Sequence, residues 1–427
     1  MWVWVSHPFD RTKVAKAIVR EATGKDTHTS TWNPLFGELC ESVKGKKFLL
    51  VLDDVWTNDP NNLKDLTHLL DLGEQGSRLL VTTRSVSVTS ALNSYRHILQ
   101  DLNSDDSGLL LSRKAFHGKE KEKSELLNDI GSQISDKCGG LPLALSLIGS
   151  LLNKKVNEKH WRHVLESKIW ELKGFDHQKK LLYPIFLLSY DGLESELKNC
   201  FLYCAMFPKA CYIRKSRLVR LWMAQGFLNS SNEEKDPELI GEEYFDELAD
   251  RSFFQDFSKD RVRGEVYCKM HDLVHDFAQF LTKDHCYESI NNEDTFCLNQ
   301  NRNPIHLSLI YDDRCTDPNS FHDSIRKVYN VRTVQCMRYR APDEDYSFSV
   351  GILSSDLVHH LRYLRVLKLK DMDITHVPNE IDKLIHLRYL DLSFNENLEE
   401  LSDSICGLIN LQTLKLKWCQ SLERLPK

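Results

Sequence analysis

Two adjacent carboxylates, Asp53 and Asp54, close the apolar run Phe48-Leu-Leu-Val-Leu-Asp-Asp-Val-Trp56. At the C-terminal end of a buried strand, where open α/β sheets bind their ligands, such a pair has two uses. Asp53 is suited to hold Mg²⁺ through water, and Asp54 to a catalytic role, orienting or deprotonating an attacking water. Gly76-Ser-Arg-Leu-Leu-Val-Thr-Thr-Arg84 ends the next such run with a cation, Arg84, placed to sense a terminal phosphate. Either motif alone reads equally well as a strand end capped by exposed charge. Together, in this order, they point to a nucleotide site.

Three other clusters carry weaker signals. His271-Asp-Leu-Val-His275 puts two histidines on one helix face, like the H-E-x-x-H of zinc proteases, but Asp is a carbon shorter and no clear third ligand follows. Cys200 and Cys204 share a face without a partner pair at zinc-finger spacing and read as buried small hydrophobes. Lys209, Arg214, Lys215, Arg217 and Arg220 adjoin a helix–turn–helix-like stretch, which raises DNA binding as a rival. The chain carries 56 Lys+Arg against 62 Asp+Glu, net −6, so no global basic field gathers nucleic acid or anionic lipid. With Trp222 and Met223 reading as core, a solvated face or an intramolecular dock on acidic surface is preferred.

Positioning these groups takes several architectures in one chain. Strands over Met1–Val5, Lys46–Leu52 and Gly76–Thr83 alternate with helices over Asp10–Ala22 and Leu63–Leu72, a partial P-loop-NTPase-like parallel α/β sheet in residues 1–102. The continuous apolar strand Lys46–Leu52 is expected to be buried on both faces. Residues 103–180 read as a helical bundle, with helical periodicity over 104–117, 124–137, 141–153 and 158–172. Residues 181–285 combine amphipathic helices with a β pair, Ser252–Phe257 and Glu265–Lys269, and read as a winged helix. After a linker over 286–302, Leu364-x-x-Leu367-x-Leu369 recurs from Leu387 and from Leu411, at intervals of 23 and 24. That is a leucine-rich-repeat solenoid over 303–427, opened by irregular repeats at Ile305–Leu309 and Val331–Val334. Its inward positions, among them Val366, Lys368, Tyr389, Asp391 and Lys415, predict part of a basic concave surface. The strand at Met1 without a preceding cap and the stop at Lys427 inside a repeat predict a chain cut at both ends.

Composition sets the outer limits. At 427 residues, 41% apolar and 28% charged, the chain is globular throughout and too long for one core. Its twelve cysteines are scattered rather than framed, and no charged-then-apolar leader opens it, which fits a reducing intracellular setting. The uncharged run Cys138–Leu152 contains Pro142 and is too short to span a bilayer. Asn229-Ser-Ser reads as a plain polar loop.

The motif set as a whole resembles the plant NB-ARC leucine-rich-repeat disease-resistance proteins, immune receptors of the NLR group. Beside the two strand motifs it rests on Cys138-Gly-Gly-Leu-Pro-Leu-Ala144, Cys200-Phe-Leu-Tyr-Cys-Ala-Met-Phe-Pro208, Leu221-Trp-Met-Ala-Gln-Gly-Phe227 and Met270-His-Asp272, in the family's order. Trp56 resembles the coiled-coil class of these receptors. The resemblance implies ADP or ATP with Mg²⁺, held by Asp53, with Arg84 as sensor arginine, Pro142 packing on adenine, His271 reaching the β-phosphate of ADP and Asp272 steadying the neighbouring backbone. It further implies a nucleotide-gated switch in defence against pathogens, located in the cytoplasm or nucleus, and no enzyme beyond a weak ATPase. A pathogen effector or guarded host protein would be met through the repeats, with self-oligomerisation of the intact form and neither membrane span nor nucleic acid.

Two departures stand out. The family's phosphate loop, G-x-x-x-x-G-K-[ST], does not occur in this sequence, and Gly24-Lys25 is no substitute because it follows a helix and Asp26 takes the hydroxyl position. Without those amides and that lysine, tight nucleotide binding by this chain is not expected. A nucleotide-independent interaction protein or non-functional fragment is therefore the alternative, ahead of a winged-helix DNA-binding regulator. Gly108 stands where the family usually carries a bulky aromatic, which predicts a local void.

Overall fold

A computed structural model describes residues 1–5, 9–27, 29, 31–55, 61–92, 94–119, 124–171, 179–209, 211–228, 235–283, 285–290, 304–312, 328, 330–339 and 353–426. The described residues from Met1 to Leu99 form one compact unit, and those from Gln100 onward form a second.

The first unit threads β1 (Trp2–Trp4), α1 (Arg11–Thr23), α2 (Trp32–Val43), β2 (Leu49–Asp53), α3 (Asn61–Leu72), β3 (Arg78–Val81) and α4 (Val86–Ala91). Its strands pair in the order β1-β2-β3, all parallel, with Trp4 opposite Asp53 and Leu52 opposite Val81. Asp10 caps α1 by accepting from the Thr12 and Lys13 amides, and Gly24 ends it in the left-handed region at φ 71°. Val14, Ile18, Leu35, Leu39, Leu63 and Leu66 of the helices pack with Val3, Leu50 and Leu52 of the strands in one core. β2 is covered on both faces over its centre, as expected: Leu50, Val51 and Leu52 are 1%, 6% and 1% exposed, while Leu49 at its start and Trp2 and Leu80 of the flanking strands are more than half exposed on the Val51 face.

The second unit opens with α5 (Ser104–Ala115), α6 (Glu125–Lys137), α7 (Pro142–Lys154) and α8 (Glu158–Leu165). Asn103 caps α5 and Asp105 and Asp106 occupy its first turn, where negative charge suits the helix dipole. The helix expected over 158–172 stops at Leu165 and resumes as a short 3₁₀ turn over Lys168–Glu171. Then come α9 (Lys179–Asp191), α10 (Ser195–Tyr203), β4 (Ile213–Arg214), α11 (Lys215–Gln225), α12 (Pro237–Asp250), β5 (Phe254–Lys259), β6 (Val266–Met270) and α13 (Asp272–Thr282). The β pair gains a third member, giving the antiparallel order β4-β6-β5 of a wing. One continuous core runs from Leu111 and Trp161 through Phe186, Phe201 and Trp222 to Met270 and Phe277.

The repeats become a parallel sheet with one strand per repeat: β7 (Cys286–Ile290), β8 (His306–Asp312), β9 (Thr333–Tyr339), β10 (Val366–Lys370), β11 (Tyr389–Asp391) and β12 (Thr413–Lys415), with α14 (Ser355–His360) before β10. The segment read as the start of a linker is thus corrected: Cys286–Ile290 pairs in register with β8 as the sheet's first strand. Leu367, Leu369, Leu390 and Leu392 fill the repeat core. Asn395 replaces missing backbone partners there, accepting from the Met372 and Ile374 amides and donating to the Leu369 and Leu392 carbonyls.

Candidate functional site

In the first unit, Asp53, Asp54 and Arg84 come together at the C-terminal end of the sheet, organised by a residue the motif reading passed over. The Thr82 hydroxyl donates to Asp53 Oδ1 at 2.6 Å and accepts from the Asp54 amide at 2.8 Å. Its own backbone continues the ladder, N–H to the Leu52 carbonyl and C=O from the Val55 amide. A hydroxyl directly after an apolar strand was the available signal, since such a side chain reaches the neighbouring strand's end. Asp54 sits at φ 56°, a conformation that costs a non-glycine residue of order 1 kcal/mol and persists where the surrounding structure over-determines the backbone. Asp54 Oδ2 lies 3.4 Å from Arg84 Nη2, with the two side chains 27% and 34% exposed. A pair this wet contributes at most about 1 kcal/mol, so Arg84 can exchange Asp54 for a stronger anion cheaply. The oxygen set suits a hard cation held through water.

In the second unit, Pro142, His271 and Asp272 stand at helix N-termini. Pro142 is the exposed first residue of α7. Gly140 places it: at φ +73° its amide carbonyl accepts from the Leu102 N–H at 2.9 Å, and a Cβ there would lie 2.6 Å from the Leu102 oxygen. His271 caps α13, its Nδ1 accepting from the Leu273 amide at 3.1 Å, which leaves the neutral ring's proton on Nε2. Asp272 follows in the first turn. His275 turns inward instead, 2% exposed with Nε2 2.7 Å from the Phe207 carbonyl, and burial lowers its pKa. The two histidines therefore do not converge, and no metal-capable cluster of His, Cys, Asp or Glu occurs among the described residues. Cys200 and Cys204 are buried thiols raised by desolvation. None of the ten described cysteines is in a disulfide.

The five basic residues of 209–220 all find partners inside the unit. Lys209 meets Asp276 at 2.5 Å, Lys215 meets Asp246 at 2.6 Å, Arg214 meets Glu265 at 3.4 Å and Arg220 meets Glu238 at 3.7 Å. Arg217 donates to Gln335 Oε1 on the repeat sheet at 3.3 Å and covers the Phe207 ring. Four of these pairs stay within residues 181–285, and Arg217 makes the dock on the repeat sheet.

That dock also covers the β10 and β11 part of the expected basic concave surface, while Lys370 and Lys417 stay exposed. Val366 and Tyr389, on the inward side of β10 and β11, are 1% and 0% exposed and belong to the winged-helix core. Lys368 is 3% exposed, and burial with Arg217 beside it pushes its pKa well down. Thr333 is the hub: Gln225 Nε2 donates to its hydroxyl at 2.9 Å, Tyr203 lies 3.4 Å away and His306 Nδ1 3.0 Å away. Gln335 adds donations to the Met206 carbonyl and Ser308, and Arg365 donates to the Gln225 carbonyl. Trp222 and Phe207 within the family motifs gave part of this away; Thr333 and Gln335 carried no signal, because a polar residue facing inward on a repeat strand reads as solvent-facing.

The NB-ARC domain profile matches residues 1–121, and the profile of the disease resistance protein winged helix domain matches residues 206–278. The chain belongs to the plant NB-ARC disease-resistance family. It is 34% identical to RGA1 of Solanum bulbocastanum over 402 residues, 92% of this chain and 36% of that protein. It is 35% identical to RPP13-like protein 1 of Arabidopsis thaliana, over 97% of this chain and 38% of the relative. With the disease resistance protein RGA2 of Solanum bulbocastanum it shares 34% over 99% of its own length and 39% of the relative's. The chain thus spans less than two-fifths of the length of these relatives. The coiled-coil marker Trp56 lies outside the described residues. No helix among the described residues is long and apolar enough to cross a membrane.

Proposed function

We propose that this chain is the switch-and-repeat portion of an intracellular immune receptor of the coiled-coil class, gated in its intact form by ADP and ATP. The observation that carries the reading is the Asp53–Thr82–Asp54–Arg84 cluster at the carboxyl end of a parallel sheet in a chain of this family. Bound nucleotide with Mg²⁺ supplies negative charge and a conformational signal rather than a turnover step. Asp53 would hold the metal through water, Arg84 would meet the terminal phosphate, Pro142 the adenine and His271, through Nε2–H, the β-phosphate. Asp54 orients water for at most slow hydrolysis, and Asp272 fixes the turn that presents His271. Pathogen effectors or guarded host proteins are sensed through the repeats, and release leads to self-association.

In the intact receptor, Asp272→Val removes a carboxylate from the first turn of α13, beside the His271 cap. Losing one charged hydrogen bond costs about 1.5–3 kcal/mol, enough to shift a two-state population tenfold or more toward the active form. Expression in leaves is expected to give effector-independent cell death with less co-purified ADP. Unchanged death and unchanged bound nucleotide overturn the gating role. The absence of a G-x-x-x-x-G-K-[ST] sequence favours a second reading for the chain by itself, a nucleotide-independent interaction module. A thermal-shift series in which the 427-residue chain saturates at micromolar ADP eliminates that second reading.

A further inference from the structure

The void expected at Gly108 exists, and it has the form of a site. A Cβ built on Gly108 in α5 meets nothing within 4 Å. Beside it opens a cavity of about 340 Å³, walled by α5, α6 and α8. Its floor is apolar and fixed: Leu111, Phe116, Leu127 and Trp161 are 2%, 4%, 6% and 1% exposed. Phe116 and Trp161 are tilted against each other at 43° with centroids 5.3 Å apart, so the floor offers an aromatic face and edge together. The polar edge of the indole is already committed, since Trp161 Nε1 donates to the Leu152 carbonyl. Asn128 and Asp105 line the cavity as exposed residues and form its polar rim.

We infer that this cavity binds a small planar uncharged aromatic molecule of about two fused rings. Three features select that class. Closed apolar cavities of about 150 Å³ accept benzene, and this one is more than twice as large, within the range of small-molecule sites. Its buried walls are apolar, the Ser112 and Ser132 hydroxyls joining Asn128 and Asp105 towards the rim, while the tilted ring pair rewards a flat π-system. The Asp105 carboxylate disfavours an anion. A ligand here would cross-link α5 to α6 and α8 within the helical bundle, a region separate from the residues assigned to nucleotide, so the inference stands or falls independently of the proposed gating.

The test uses the full 427-residue chain, indole as probe and isothermal titration calorimetry. Gly108→Ala adds one carbon to open space and leaves most of the cavity, whereas Gly108→Trp fills it from within. Wild type and Gly108→Ala are expected to bind indole with dissociation constants within about twofold of each other, and Gly108→Trp to lose at least about tenfold. The filled variant is also expected to melt at a higher temperature than wild type without ligand. Should Gly108→Trp fail to show native circular dichroism, Gly108→Leu fills the same space and carries the same readout. No saturable heat with wild type up to the solubility of indole, or equal binding by the folded filled variant, overturns the inference.

Discussion

Polar side chains gather in two places in this molecule, and the solvent they see divides their roles. At the end of the first unit's sheet, Asp53, Asp54, Thr82 and Arg84 sit partly in water, and the side chains of the Asp54–Arg84 ion pair are 27% and 34% exposed. At the junction of winged helix and repeats, Thr333, Gln335 and Gln225 are 0%, 1% and 1% exposed and bond to groups of both elements, among them Tyr203, His306, Ser308 and the Met206 carbonyl. Hydrogen bonds in the first set compete with water and exchange cheaply; in the second, a lost partner leaves a buried group unsatisfied at about 1–3 kcal/mol. A rearrangeable cluster suits a ligand that comes and goes, and a dry network suits two elements held in one register.

The contrast breaks most visibly by truncating one aromatic from each region. Tyr389 is wholly buried between α11 and the sheet, and its hydroxyl takes a 2.6 Å hydrogen bond from Lys415. Tyr389→Ala is expected to cost about 3–5 kcal/mol, as for other large-to-small core changes. Trp4, 41% exposed on the open face of the first sheet, is expected to cost under about 1 kcal/mol on the same change. Urea denaturation followed separately by tryptophan fluorescence and far-ultraviolet circular dichroism measures both. Equal losses would remove the distinction between the regions.

How much of this was legible beforehand follows the same line. Strands and helices with strong period were placed to within a few residues: α6 was expected over 124–137 and runs Glu125–Lys137. α2 escaped notice, because Asn33, Pro34 and Gly37 interrupt its pattern although Leu35, Leu39 and Val43 bury one face. The acids and Arg84 announced themselves by type and by position at strand ends. Their organiser Thr82 did not, nor did the closure of the repeat face, since burial between elements distant in sequence leaves no periodic trace. Lys368 shows the point: its spacing is that of an inward repeat position, and only the packing of α11 turns an open basic site into a buried one.

Acid sharpens the comparison next. His306 is pressed between Tyr203, 4.9 Å away edge-on, and the Thr333 hydroxyl, 3.0 Å from Nδ1. Burial first, then Arg332, His285 and Arg365, lower its pKa to about 3. The unfolded chain protonates this group near 6.5, so it binds more protons than the folded chain between those values. Stability is therefore expected to hold above about pH 6.5 and to fall by up to about 1.4 kcal/mol per pH unit below it. His275 and His160, also lowered mainly by burial, add to the same slope. Equilibrium unfolding at pH 7, 6 and 5 reads it, and His306→Phe, which keeps the ring contact, should flatten the profile. A slope unchanged by that substitution would place the titration elsewhere.

The smallest stability effect should fall where function is proposed. Arg84→Ala removes the exposed pair with Asp54, a change expected to move stability by less than about 1 kcal/mol. Thr82→Val, by contrast, takes away the hydroxyl that holds both Asp53 Oδ1 and the Asp54 amide, and should release the backbone at φ 56° as well. In the intact receptor the order is expected to invert, with Arg84→Ala altering the ratio of ATP to ADP retained on purification while the melting temperature stays within a degree or two of wild type. Nucleotide content measured by ion-exchange chromatography, beside differential scanning fluorimetry on the same preparation, separates the two. If Arg84→Ala lowers the melting temperature as far as Tyr389→Ala does, the sheet-end cluster is structural, and the low cost of opening its ion pair, on which its role as a phosphate sensor depends, is refuted.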